Sequence, residues 1–144
     1  MSWIDKFIGL CEHIASWSKD PSTQCGAVIV STEKQILATG YNGFPSRIED
    51  SAELLNNREM KYSLIIHAEV NAILNAAKNG VNINGAWLFV SGLPVCDNCA
   101  KHITQAGIST IVMRRLTFGQ ERWKESAQTA ENIFTLADIP IINI

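Results

Sequence analysis

From Gly26 onward, short unbroken apolar runs alternate with stripes of apolar residues that recur every three or four positions. That alternation restricts the chain to an α/β arrangement, because strands and helices carry different hydrophobic periods. The runs Gly26–Val30, Trp87–Val90, Ile108–Met113 and Ile139–Ile144 read as strands, and Ile36–Gly40 as the hairpin partner of the first across the turn Ser31–Lys34. Ile4, Phe7, Ile8, Cys11, Ile14 and Ala15 form the stripe of a first helix capped by Ser2. Asp20-Pro21 is expected to end it, since a residue before proline avoids the helical region. Val70, Ile73, Leu74 and Ala77 mark a helix over His67–Ala77, a third begins at Cys96 and closes at Gly107, and Ala127, Ala130, Phe134 and Ala137 mark the last. Within the polar stretch from Ser46 to Lys61 only a short helix over Ala52–Asn56 is assigned. A hairpin followed by strand–helix alternation gives a mixed five-stranded sheet with helices on both faces. The expectation is a three-layer α/β/α fold in one domain spanning residues 1–144.

Charge narrows the partners. The net charge is −2, and the basic residues are scattered apart from the pair Arg114-Arg115. Gripping a polynucleotide takes a basic face that displaces counterions from many phosphates, whereas a mononucleotide needs one or two cations. The balance therefore favours a small ligand over nucleic acid. The longest aliphatic stretch, Ala27–Val30, is far short of a membrane span, and the start of the chain has an acidic residue and no apolar run behind it. A cytoplasmic protein without membrane partners is expected, with its four cysteines reduced.

Reduced cysteines are buried hydrophobes, metal ligands or nucleophiles. Cys11 and Cys25 stand alone on expected core faces, while Cys96 and Cys99 form a Cys-x-x-Cys pair at a helix start. The pair lies on one helical face near the positive end of the helix dipole, which favours the thiolates a metal needs. His67 adds a nitrogen, and catalytic zinc sites use three such ligands and keep one position for water. Glu69, in the same helical turn as His67, can take and return that water's proton. His102 lies roughly 9 Å along the helix from Cys96, too far to share a tetrahedral ion, and reads with His13 as structural. A redox pair or half of a structural zinc knuckle would leave Glu69 unused.

These blocks, His67-Ala68-Glu69 and Pro94-Val95-Cys96-Asp97-Asn98-Cys99, match the His-x-Glu and Pro-Cys-x-x-Cys signature of zinc nucleobase deaminases. With Ser18-Lys19-Asp20-Pro21-Ser22-Thr23-Gln24 running into Gly26–Val30, and with Gly40-Tyr41-Asn42-Gly43-Phe44-Pro45, the chain resembles the deoxycytidylate deaminases over nearly its whole length. The resemblance implies a cytidine-deaminase fold, zinc-dependent hydrolysis of dCMP to dUMP and ammonia, and a homo-oligomer, commonly a hexamer. It also implies activation by dCTP and inhibition by dTTP, bound with Mg²⁺ at a second site near Asn42, Gly43 and Phe44. By the same resemblance Asn42 meets the nucleotide near its sugar and base. Ser22, Thr23 and Gln24 belong to the phosphate pocket, and the Ala68 N–H partners the pyrimidine carbonyl.

Two positions depart from the pattern. Val95 stands where many relatives place proline, and Trp17 where many carry arginine. That leaves Arg115, Arg122 or Lys124 to supply the phosphate's counter-charge. Among rival readings, nucleoside cytidine deaminases usually begin the first motif with cysteine where this chain has His67. A tRNA deaminase would want a basic approach surface, and a non-enzymatic zinc module would fill its fourth ligand position.

Overall fold

Alternate residues of the strand Gly26–Val30 (β1) point into two different cores, which is why all five are buried. The computed structural model describes every residue from Met1 to Ile144. β1 lies between the antiparallel strands β2 (Ile36–Tyr41) and β3 (Trp87–Ser91), and the sheet continues through β4 (Thr110–Met113) to β5 (Ile141–Asn143). The order is β2–β1–β3–β4–β5, with the β3–β4 and β4–β5 pairs parallel. Each parallel pair is joined through a helix, α5 (Asp97–Gln105) or α6 (Lys124–Leu136), as a parallel connection requires. No helix is long and apolar enough to cross a membrane.

Helix α1 (Trp3–Ala15) covers one face, packing Phe7, Ile8, Cys11 and Ile14 on Val28, Val30, Phe89 and Val112. On the opposite face, α4 (Ala68–Lys78), α5 and α6 bury Ala27, Ile29, Leu88, Val90, Ile111 and Met113. This is the expected mixed five-stranded α/β/α sandwich. Its lower layer is anchored by Phe134, which is fully buried and whose truncation to alanine would cost about 3–5 kcal/mol.

Helix α4 is seated unusually close to its strand. A Cβ at Gly40 would stand 2.4 Å from the Ala72 nitrogen, so only glycine lets β2 and α4 touch backbone to backbone. Asn71 and Asn75 then donate their side-chain amides to the carbonyls of Tyr41 and Thr39, each at 2.8 Å.

Two local expectations are corrected. Helix α1 stops at Ala15, five residues before Asp20. Ser18 instead turns its hydroxyl to the Asn42 carbonyl at 2.8 Å, and such side-chain bonds compete with helical ones. A helix absent from the sequence reading, α3 (Arg58–Leu64), follows α2 (Ala52–Asn56); it starts where the Asn57 side chain caps Met60 N, and only Lys61 on it is buried. It has no apolar stripe to announce it. Cys25 packs against the core as expected, half-buried, and also borders a cleft.

Candidate metal centre and cleft

Two chain segments reach the same point as helix N-caps. His67 caps α4 and Cys96 caps α5, each in extended backbone, so both side chains project past the first helical turn. His67 Nδ1 lies 3.4 Å from Cys96 Sγ and 3.3 Å from Cys99 Sγ, and the three ligand atoms all fall within 4.8 Å of one another. Ligand atoms around a tetrahedral zinc stand about 3.5 Å apart, given bonds of about 2.0–2.3 Å. The donor set, one nitrogen and two sulfurs, fits zinc with an open fourth position.

The charges of the triad favour that use. Cys96 is held near 4 because it accepts from the Cys99 thiol and, against the cost of burial, from His67. The Cys99 N–H, in the first turn of α5, also points to the Cys96 sulfur at 3.4 Å. The Cys96 bond raises His67 above the ordinary imidazole value, and Cys99, which donates to Cys96 and is itself buried, is raised in turn. Metal binding replaces the shared protons.

Glu69 is the second residue of α4 and is only 4 % exposed, yet it borders the same cleft. Burial raises its carboxyl above the usual range, against the lowering pull of His67. A carboxyl so placed can exchange a proton with a group in the cleft.

Away from the metal ligands, the cleft, a cavity of about 180 Å³, is walled by the Asp20–Thr23 loop and Lys61 on one side, and by Arg122, Trp123 and Ser126 on the other. The Asp20 carboxylate accepts the N–H groups of Ser22 and Thr23 at 2.8 and 3.3 Å. Asn42, buried beneath, accepts the Cys25 N–H at 2.8 Å and donates to the Thr23 carbonyl at 2.9 Å. Across the cleft, Ser126 donates to Asp97 Oδ1 at 2.8 Å and accepts Asp97 N–H at 3.0 Å, tying α6 to the turn that carries Cys96.

The model of the cytidine and deoxycytidylate deaminase zinc-binding region matches residues 1–115, which include the whole metal triad and Glu69. The chain belongs to that family of deaminases. Like its relatives, it is a zinc-type hydrolytic deaminase by its ligand set. A protein of Aliivibrio fischeri named as an uncharacterized deaminase is 39% identical over 140 residues, 96% of this chain and 91% of that one. Mouse deoxycytidylate deaminase is 37% identical over 148 residues, 96% of this chain and 78% of the mouse protein. The dCMP deaminase of cyanophage S-TIM5 has the same fold, with a TM-score of 0.76 at 24% identity over 98% of this chain and 96% of the phage protein.

Of the residues singled out in the sequence of this deaminase, His67, Glu69, Cys96, Ser22, Thr23, Asn42 and Arg122 border one cleft, and Cys99 reaches its metal corner. Ala68 is buried beside it, its N–H in the first turn of α4, where no helical acceptor exists. Gln24 turns away and donates to the Ser18 carbonyl at 2.7 Å. Arg115 and Lys124 border a separate depression near the exposed Phe118, so Arg122 is the arginine that the fold brings to the cleft. His102 bonds the Asn98 carbonyl at 2.8 Å and takes no part in the triad. Val95, in place of proline, is fully buried, so packing holds the turn before Cys96. Trp17 sits edge-on between His13 and Tyr41 on the surface. Lys61 and Asp20 were not singled out as site residues; a lysine at one helical position carries no signal until tertiary structure buries it.

Proposed function

We propose that this protein hydrolyses dCMP to dUMP and ammonia. The observation that carries the reading is one cleft holding a zinc-type triad and a buried glutamate beside a loop that presents the hydroxyls of Ser22 and Thr23. His67, Cys96 and Cys99 would hold zinc, which when bound would supply the Lewis-acid chemistry that activates water at neutral pH. Glu69 takes the two protons of the incoming water in turn, delivering one to ring N3 as the C–O bond forms and the other to the amino nitrogen as the C–N bond breaks. The Ala68 N–H holds the pyrimidine carbonyl, fixing which ring edge faces Glu69. Ser22, Thr23 and Arg122 take the 5′-phosphate, and Asn42 serves the sugar end by holding the loop from Thr23 to Cys25 in place. Zinc-loaded protein assayed on dCMP, deoxycytidine and a tRNA tests this, with at least about 10³-fold higher kcat/KM on dCMP than on deoxycytidine expected. Equal turnover of the two small substrates refutes it, and turnover of the tRNA alone would move the protein to nucleic-acid editing.

The reading extends to regulation by dCTP and dTTP with Mg²⁺, and to a homohexamer. Supporting a second nucleotide site is a larger cavity of about 520 Å³ behind the loop Asn42–Phe44, flanked by Lys19, Lys78 and the Trp17 and Tyr41 rings. A dCMP saturation curve unchanged by millimolar dCTP or dTTP with Mg²⁺ removes the regulatory part, and the mass in solution tests the hexamer.

A further inference from the structure

Lys61 is a charged residue that the fold buries almost completely. Its side chain is 4% exposed and its partner Asp20 7%, with Nζ 3.1 Å from Asp20 Oδ1 and 3.1 Å from Ser22 Oγ. A buried ion pair often stabilises less than a well-packed apolar pair of the same size, so its presence at a cleft wall calls for another reason. Asp20 has one: it accepts the N–H groups of Ser22 and Thr23, and Asn42 Nδ2 approaches Oδ2 at 3.4 Å. The ammonium carries three protons; Asp20 and Ser22 take two, and the Tyr62 ring lies 5.4 Å from Nζ. Ser22, which accepts from Lys61, keeps its own hydroxyl proton for a further acceptor. Both groups border the cleft that holds Glu69 and the metal triad.

The other nearby cation is less suited to discriminating. Arg122 is exposed and lies 4.7 Å over the Trp123 ring. Solvent screens a charge so placed, while a buried ammonium acts through a low local dielectric. The negative charge of Asp20 is met by two backbone N–H groups, an amide and the ammonium.

We infer that Lys61 is the specificity-determining cation for the substrate's 5′-phosphate, binding it with its third proton and through the Ser22 hydroxyl it holds. The inference rests on the nucleotide reading above and names the residue that enforces it. Zinc-loaded wild type, Lys61→Met and the double variant Lys61→Met/Asp20→Asn are compared for kcat/KM on dCMP and on deoxycytidine, with zinc per chain measured in each. The double variant leaves no lone buried carboxylate, so it separates recognition from folding. The expected result is a fall of about 10²-fold on dCMP in both variants, the size of a lost charged hydrogen bond. Deoxycytidine turnover and zinc content should stay near wild type. If both substrates fall in proportion, or if the double variant regains the dCMP preference, Lys61 only neutralises Asp20 and the inference is overturned. A wild type with no dCMP preference overturns the nucleotide reading itself; a wild type that prefers dCMP and a Lys61→Met protein that still does overturns this inference alone.

Discussion

Gly40 and Ala72 meet so closely that a methyl group on Gly40 would lie 2.4 Å from the Ala72 nitrogen and 2.5 Å from the Ala68 carbonyl oxygen. Strand β2 therefore sets the height of α4 above the sheet, and with it the positions of His67 and Glu69 at the head of that helix. Gly40→Ala must push backbone from backbone, since no flexible side chain is there to yield. A loss of about 2 kcal/mol or more in chemical denaturation is expected, in the range for overpacking. Weaker zinc retention should accompany it. Wild-type stability in this variant would mean that the two elements do not pack as described.

The two cysteines are expected to fail together. Purified protein should hold one zinc per triad, and Cys96→Ser or Cys99→Ser should each lose most of the metal and the activity, because each leaves two ligands for a site that needs three. Metal analysis beside the dCMP assay checks this, and full activity in a zinc-free preparation would exclude the centre as the seat of catalysis.

Glu69 is not among the three ligands, so binding and chemistry should separate at that position. Glu69→Gln keeps zinc and keeps affinity for dCMP, while kcat falls by about 10²–10⁴, the usual weight of a lost proton carrier. Equilibrium binding and single-turnover rates on the same sample measure the two effects, and near-normal turnover would assign the proton to another group.

Cys11 gives the protein a pH dependence remote from the site. Its thiol is buried, donates to the Phe89 carbonyl at 3.3 Å, and burial pushes it up to about 12 from an ordinary value of 9.0. Between those two values the unfolded chain holds fewer protons than the folded one, so stability falls as pH rises through that window. Denaturation near pH 8 and near pH 10.5 should differ by about 1–2 kcal/mol on this account. Cys11→Ala should lower stability overall but flatten that slope, and an unchanged slope would place the effect elsewhere.

The metal half of the site was legible before any coordinates because its chemistry is local. Cys96 and Cys99 are adjacent on one helical turn whatever the fold does, and His67 and Glu69 share another. The hairpin of β1 and β2 and, α3 apart, the order of helices and strands after it were legible for a similar reason, since unbroken apolar runs and helical stripes stand out in the sequence. The rest of the cleft was legible only in part: Ser22, Thr23, Asn42 and Arg122 do border it. Arg115 and Arg122 look alike in sequence, and only the path of the chain after β4 separates them, bringing Arg122 to the cleft and leaving Arg115 in another depression. Asn42 lines the cleft, and only the fold shows its amide bonded to Cys25 and Thr23, partners 17 and 19 residues away.

By itself, then, the sequence singled out His67, Glu69, Cys96 and Cys99 and determined the α/β plan, because residue chemistry and hydrophobic period act over a few positions. Tertiary structure alone decided that α3 exists, that its Lys61 is buried against Asp20 and Ser22, and which face of the cleft carries charge. Lys61 and Asp20 are 41 residues apart, and a lone lysine on a polar helix has no period to read. Whether such a cation faces water or a substrate depends on where distant segments pack, and that is settled by the summed burial of the whole core.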